Sequence, residues 1–224
     1  MPAASAPQIL PAPAGLGRAA TTTICQNVRL TRSMDRPLTT DIDTRKGWAE
    51  ELRGLLEAHP RTTWRTNGTP MTDFWLHQHD HFRRQAAELR AATDAYRSEH
   101  STSAQLCTWL GPRLQAFIGH LQGHHQVEDY HYFPAFRAAE QQLASGFDVL
   151  ARDHVLVHEG IMDIVASFNE FAASVRNDAS SEADAHRFAA DRYIATSELL
   201  YKRLARHLDD EEDLVIPVML AHGH

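Results

Sequence analysis

The sequence predicts an all-α protein: an antiparallel up-down four-helix bundle with an extra short N-terminal helix and an irregular N-terminal tail. Apolar residues recur at three- and four-residue intervals through four long segments, about 71–97, 103–139, 143–175 and 182–221. The breaks between them are short and polar: SEHSTS, a stretch near Gln141, and RNDASSE. No segment alternates apolar and polar residues with the period of two that a half-buried strand requires. Long amphipathic helices joined by short loops favour neighbours that run up and down.

Residues 1–45 are rich in Pro, Ala, Thr and Arg and hold no sustained period, as expected of an irregular or disordered tail; Met34 within it is an alternative start. Residues 46–69 form a short helix and linker, with Trp48, Leu52, Leu55 and Leu56 on one side and a stop near Pro60. Residues 70–224 hold the bundle, whose last helix opens on a capping signal, Ser181 with Asp184 three residues on.

At 224 residues, with 43% hydrophobic and 23% charged residues, the chain can build one sizeable soluble core. A formal net charge of -7 and the lack of a basic block argue against nucleic acid as a partner. No apolar run approaches the ~18 residues of a membrane span. The opening MPAASAPQILPAPAGLGRAATTT lacks the charged start and continuous apolar stretch of a secretory signal. Cys25 and Cys107 form neither a disulfide framework nor a CxxC pair, which fits a reducing compartment. The expectation is a cytoplasmic protein with no membrane contact.

The 15 histidines are the departure from ordinary composition, and helical geometry says where they point. In the last segment Glu211 lies about 40° round from His207, and Leu200, Leu204, Leu214, Val215 and Val218 all fall within about 80° of it. Glu212, at about 140°, does not. In the third segment Phe147, Leu150, Ile161, Val165 and Phe168 surround His154 and His158, which are four apart and share a face. In the second, Leu110, Leu114, Phe117 and Leu121 share a face with His124 and Glu128. The first offers His77, His79 and His81. Trp75, Phe82 and Ala86 share the face of His79, whereas Arg84 and Glu88 share that of the other two, so His79 points inward. His77, His81 and His125 read as surface residues, and His120 and His131 flank the His124 face as outer-layer candidates. Trp75, Phe82, Phe117, Tyr130, Tyr132, Phe133 and Phe168 read as core.

Converging on the core are therefore His79, His124, Glu128, His154, His158, His207 and Glu211. Each buried unpaired carboxylate costs several kcal/mol, against a domain stability of ~5–15 kcal/mol, so something must compensate. Divalent cations do so directly, since neutral imidazoles and carboxylates are their ligands. Five imidazoles and two carboxylates exceed one tetrahedral zinc and suit two octahedral ions bridged by the carboxylates and a solvent oxygen. The imidazole-rich set favours iron over manganese or zinc. An internal echo falls on these residues: His124-x-x-x-Glu128 with Pro134 six residues on, and His207-x-x-x-Glu211 with Pro217 six residues on.

HDHFRR at 79–84, HHQVEDYHYFP at 124–134, DHVLVH at 153–158 and HLDDEEDLVIP at 207–217 resemble the signature helices of the hemerythrin-like HHE cation-binding domain family, over roughly residues 70–222. The resemblance implies a non-haem centre of two Fe ions joined by an oxo or hydroxo bridge. Its ligands would be His79; His124 and Glu128; His154 and His158; His207 and Glu211. The animal oxygen carriers place the last acid five residues after its His, which would select Glu212; bacterial HHE proteins use four, which selects Glu211. Implied functions are binding or sensing of O2, NO or peroxide, turnover of peroxide or nitric oxide by a di-iron enzyme, or iron storage or iron sensing. A separate redox partner and a monomeric or dimeric state would accompany them. A ferritin-like oxygenase fits less well, because those bundles use paired Glu-x-x-His motifs, whereas here His precedes Glu by four.

Overall fold

The computed structural model describes residues 41–176 and 183–223. The tail up to residue 40, with Met34 and Cys25, and the capping signal at Ser181 lie outside the described residues. Every described element is a helix or a turn. Two short helices, α1 (Gly54–Ala58) and α2 (Trp64–Asn67), alternate with single 3-10 turns at Glu50–Leu52 and Arg61–Thr63. The long helices are α3 (Pro70–Arg97), α4 (Ser103–Val127), α6 (Ala144–Arg176) and α7 (Ala183–His222). The short α5 (Phe133–Ala139) continues from α4. Helices α3 and α4, α4 and α6, α6 and α7, and α7 and α3 pack in a closed ring, which makes the structure a helical bundle. No described helix is long and apolar enough to cross a membrane.

Local chemistry starts the first two long helices. Thr69 and Thr72 cap α3 reciprocally, Thr72 N–H donating to Thr69 Oγ1 at 3.2 Å and Thr69 N–H to Thr72 Oγ1 at 2.8 Å, and Pro70 supplies the preset first residue. Thr102 and Gln105 repeat the device on α4. The segment expected to run as one helix over 103–139 is interrupted at Glu128–Tyr132 by a π turn, which takes in an extra residue. Pro134 has no N–H to give the carbonyl four residues back, and its ring crowds that carbonyl, so the regular ladder gives way just before it. The wider turn brings Phe133 and Phe136 round to the buried side. Pro217, at the echoed position, sits within continuous α7.

The interior has two apolar clusters. One gathers Phe82, Leu110, Leu114, Phe117, Leu121, Val157, Ile161, Phe171, Tyr193 and Leu204. The other gathers Trp48, Leu52, Trp64, Trp75, Phe133, Phe136, Phe147, Leu150, Leu214 and Val218. Along each long helix a polar layer divides them: His79 falls between Trp75 and Phe82, and His154 between Leu150 and Val157. Likewise His124, His125 and Glu128 separate Leu121 from Phe133, and Glu211 separates Leu208 from Leu214. Gly146 permits the close approach of α6 to α7, since a Cβ there would meet Leu214 Cδ2 at 2.9 Å.

The boundary expected at residue 45 falls earlier. Ile42 and Arg45 are buried, and Asp43 accepts from Arg203 Nη2 at 2.7 Å, so residues 41–45 dock on the bundle rather than trail from it. The linker expected after Pro60 is itself helical and contributes Trp64 to the second cluster.

Candidate metal centre

The polar layer resolves into two groups of donors, each with its ligand atoms within 4.8 Å of one another. One comprises His79, His124, Glu128 and Glu211, and the other His125, Glu128, His154 and His207. The carboxylates straddle them. Glu128 turns Oε1 to His124 Nε2 at 2.8 Å and Oε2 to His154 Nε2 at 3.5 Å. Glu211 turns Oε1 to His79 Nε2 at 3.4 Å and Oε2 to His207 Nε2 at 3.1 Å. Both acids are buried, at 1% and 0% exposure, so neither is relieved by water.

The ring nitrogens face one another across the same space: His79 Nε2 and His124 Nε2 are 3.3 Å apart, and His154 Nε2 and His207 Nε2 are 3.1 Å apart. Behind them sit further acids. Glu212 Oε1 lies 3.1 Å from His79 Nδ1, and Asp129 Oδ1 lies 2.8 Å from His154 Nδ1. Asp153 Oδ2 lies 3.7 Å from His207 Nδ1, an ionic contact too long for a hydrogen bond. A carboxylate behind Nδ1 holds the proton there and directs the Nε2 lone pair inward. Inward, that lone pair meets carboxylate oxygens and other ring nitrogens. Glu128 Oε1 and Oε2, Glu211 Oε2 and His125 Nε2 all lack a hydrogen-bond partner despite full burial. Orphaned acceptors at such distances repel unless a cation or a proton lies between them, and the donor set of imidazole and carboxylate is that of a transition metal.

A family model for the hemerythrin HHE cation binding domain matches residues 71–223. The chain belongs to the hemerythrin HHE family. No curated protein and no solved structure gives a significant match. The hemerythrin-like domain thus covers the four long helices, and residues 41–70 precede it.

Within the hemerythrin-like domain the structure brings together His79, His124, Glu128, His154, His207 and Glu211. It does not bring His158 to them: that side chain is exposed. The buried arc of α6, from Leu150 through Ile161 to Phe171, is centred near Val157, and His158 stands about 100° from it. The fifth imidazole is instead His125, read from the sequence as a surface residue and here buried, its ring stacked on His154 at 4.0 Å between centroids. The signal for it was present. Glu128, at the end of α4, and Leu121 lie almost in line, and His124 and His125 fall about 60° to one side of Leu121 and about 40° to the other, so the inward line passes between them. His77, His120 and His131 are exposed and His81 is half-buried, so none joins the layer. Trp75, read as core, also has a role in the site: its Nε1 donates to Glu211 Oε1 at 2.9 Å.

Protonation of these groups in the hemerythrin-like domain follows from burial and neighbours. Burial, with Glu211 beside it, holds the Glu128 carboxyl well above its usual range. Burial acts the same way on Glu211 but is outweighed by His79 and His207, so that acid stays well below it. His207 is raised to about 9, burial being overcome by Asp153 and Glu211, whereas burial drops His124 to about 3. Burial also lowers His125 and His154.

Proposed function

We propose that the protein holds two iron ions between these helices and binds or senses a small ligand of the O2, NO or peroxide class. The observation that carries the reading is the division of each carboxylate, one oxygen of Glu128 and of Glu211 toward each group of imidazoles. A mononuclear site has no use for that division. A pair of cations sharing both acids does, and imidazole with carboxylate is a ligand set that iron accepts.

The two sides are unequal. His125, His154 and His207 serve one, and only His79 and His124 serve the other. Two ions sharing the carboxylates would therefore draw one more imidazole on the first side than on the second, and the second would be the side with room for an exogenous ligand. His124, at 15% side-chain exposure, is also the most accessible donor, and the rest are buried below a tenth. Bound iron would supply electrons to the ligand. The chain supplies the rest: Glu212 and Asp129 fix the His79 and His154 rings, Trp75 restrains Glu211, and Phe82, whose ring lies 5.0 Å from that of His124, helps exclude water.

Metal analysis of protein purified without added metal tests the reading, combined with visible spectra of the reduced protein mixed with O2 and with NO. Two irons per chain and a new visible band with either gas are expected. One zinc per chain, or a spectrum indifferent to both gases, would overturn it.

A further inference from the structure

Arginines that precede the family domain reach the acids behind two of the imidazoles. Arg45 is buried at 2% side-chain exposure, holds Asp153 through its guanidinium and donates from Nε to Asp210 Oδ2 at 2.6 Å. Arg61 donates from Nη1 to Glu212 Oε2 at 3.0 Å and from Nε to Asp213 Oδ1 at 2.6 Å, with its guanidinium over the Trp64 ring. Asp153 backs His207 on the side with three imidazoles, and Glu212 backs His79 on the side with two. One docked stretch, residues 41–67, therefore sends a cation behind each half of the centre. Asp129, which backs His154 at 2.8 Å, takes no arginine among the described residues. Its distance is shorter than the 3.7 Å of the Arg45-held Asp153 from His207.

We propose that residues 41–67 are a working part of the metal centre, with Arg45 acting through Asp153 and Arg61 through Glu212 as positioning residues for His207 and His79. This rests on the di-iron reading above. Arg61 joins Arg83, which donates to Glu212 Oε1 at 2.7 Å, in fixing the acid that orients His79, and Arg45 fixes Asp153 in its ionic contact with His207; each positive charge draws electron density away from the imidazole in front of it. The bound metal then meets a weaker donor and a more positive surrounding than the family domain alone would give, which raises its reduction potential and slows loss of electrons to adventitious oxidants.

The test uses the full chain with Arg45→Gln, Arg61→Gln and Asp43→Asn. Asp43 pairs with Arg203 and fastens the same stretch to α7 without contact to any acid behind an imidazole. Ferrous iron affinity is measured by competition with a chelator, and the midpoint potential of the bound iron by redox titration. Arg45→Gln and Arg61→Gln are expected to lower the potential, because a positive charge is lost, and to weaken iron binding about tenfold each, because the loss of ring positioning outweighs the removal of a repelling charge, and Asp43→Asn to change neither. Arg45→Lys, which keeps the charge but not the planar fork, should restore the potential more fully than the affinity. Unchanged affinity and potential in both glutamine variants would overturn the proposal, as would equal shifts in Asp43→Asn, which would make docking alone responsible. Should Arg45→Gln leave two buried acids too exposed to each other for folding, Arg61→Gln decides, because Arg61 is 44% exposed at its side chain. Wild-type protein that binds no iron would remove the di-iron reading itself, an outcome distinct from these.

Discussion

The two apolar clusters on either side of the metal layer have the same kinds of residue and opposite dependences. The cluster around Phe117, Phe171 and Tyr193 is closed by the long helices alone. The cluster around Trp75, Phe147 and Leu214 is completed by Trp48, Leu52 and Trp64 from the stretch before the family domain, and that stretch is fastened by arginines to acids of the polar layer. Shape complementarity holds the first, so it depends less on what fills the centre. The second is tied to the centre through Asp153, Asp210 and Glu212, so metal, charge and packing act on it together.

Phe171→Ala, in the first cluster, should have the largest effect on stability. It removes a fully buried ring at a cost of about 3–5 kcal/mol. Denaturant titration should show the same loss with and without metal, and metal analysis should show unchanged stoichiometry. A loss of metal in this variant would mean that the two clusters are not independent.

Chelation comes next. Stripping the metal should lower the melting temperature of the wild type, since a ligand held at a hundred times its dissociation constant stabilises by ~2.7 kcal/mol. Glu128→Ala should abolish that response along with both metal equivalents, since Glu128 belongs to both donor groups, and should leave the metal-free protein no less stable, because the acid it removes is buried and without a hydrogen-bond partner. A chelator-sensitive melt in Glu128→Ala would break the assignment of Glu128 to both halves.

The contrast between His125 and His158 is sharper in meaning and smaller in size. His125→Ala should weaken metal binding by about 10–100-fold, and His158→Ala should leave it unchanged, as read by chelator competition. The reverse result would return the fifth imidazole to His158.

That contrast also shows what the sequence alone can carry. Periodicity places His79, His207 and Glu211 correctly in the buried arcs, because each stands near the middle of an apolar stripe. It fails at the margins of a stripe. His154 lies on one edge of the α6 arc, so centring the arc on it carried His158 inward; on α4 the choice of one histidine from an adjacent pair discarded the other. The helices themselves were legible from their spacing, but the π turn was not, since it arises where Pro134 meets a helix held in place by packing. Arg45 and Arg61 were invisible for a different reason: a charged residue outside the long periodic helices gives no sign that a buried acid from 108 or 151 residues away will meet it.

The smallest effect concerns the clasp at Asp43. Its carboxyl is held below the usual value by the Arg203 hydrogen bond, against some burial. The stability it adds is therefore present above the ordinary carboxylate value and is lost as pH falls through the depressed folded one. With solvent screening, about 0.5–1 kcal/mol is expected, read as the difference between wild type and Asp43→Asn at neutral pH that vanishes in acid.

His124 and His125 are consecutive, yet they serve opposite sides of the centre. Their backbone atoms are joined by a single peptide unit of about 3.8 Å. A slight roll of α4 about its axis must draw one ring inward as it withdraws the other, so the helix behaves like a crank with two opposed arms. The total donor count survives such a roll while its allocation changes, which would make the orientation of one helix the variable that trades donors between the two groups.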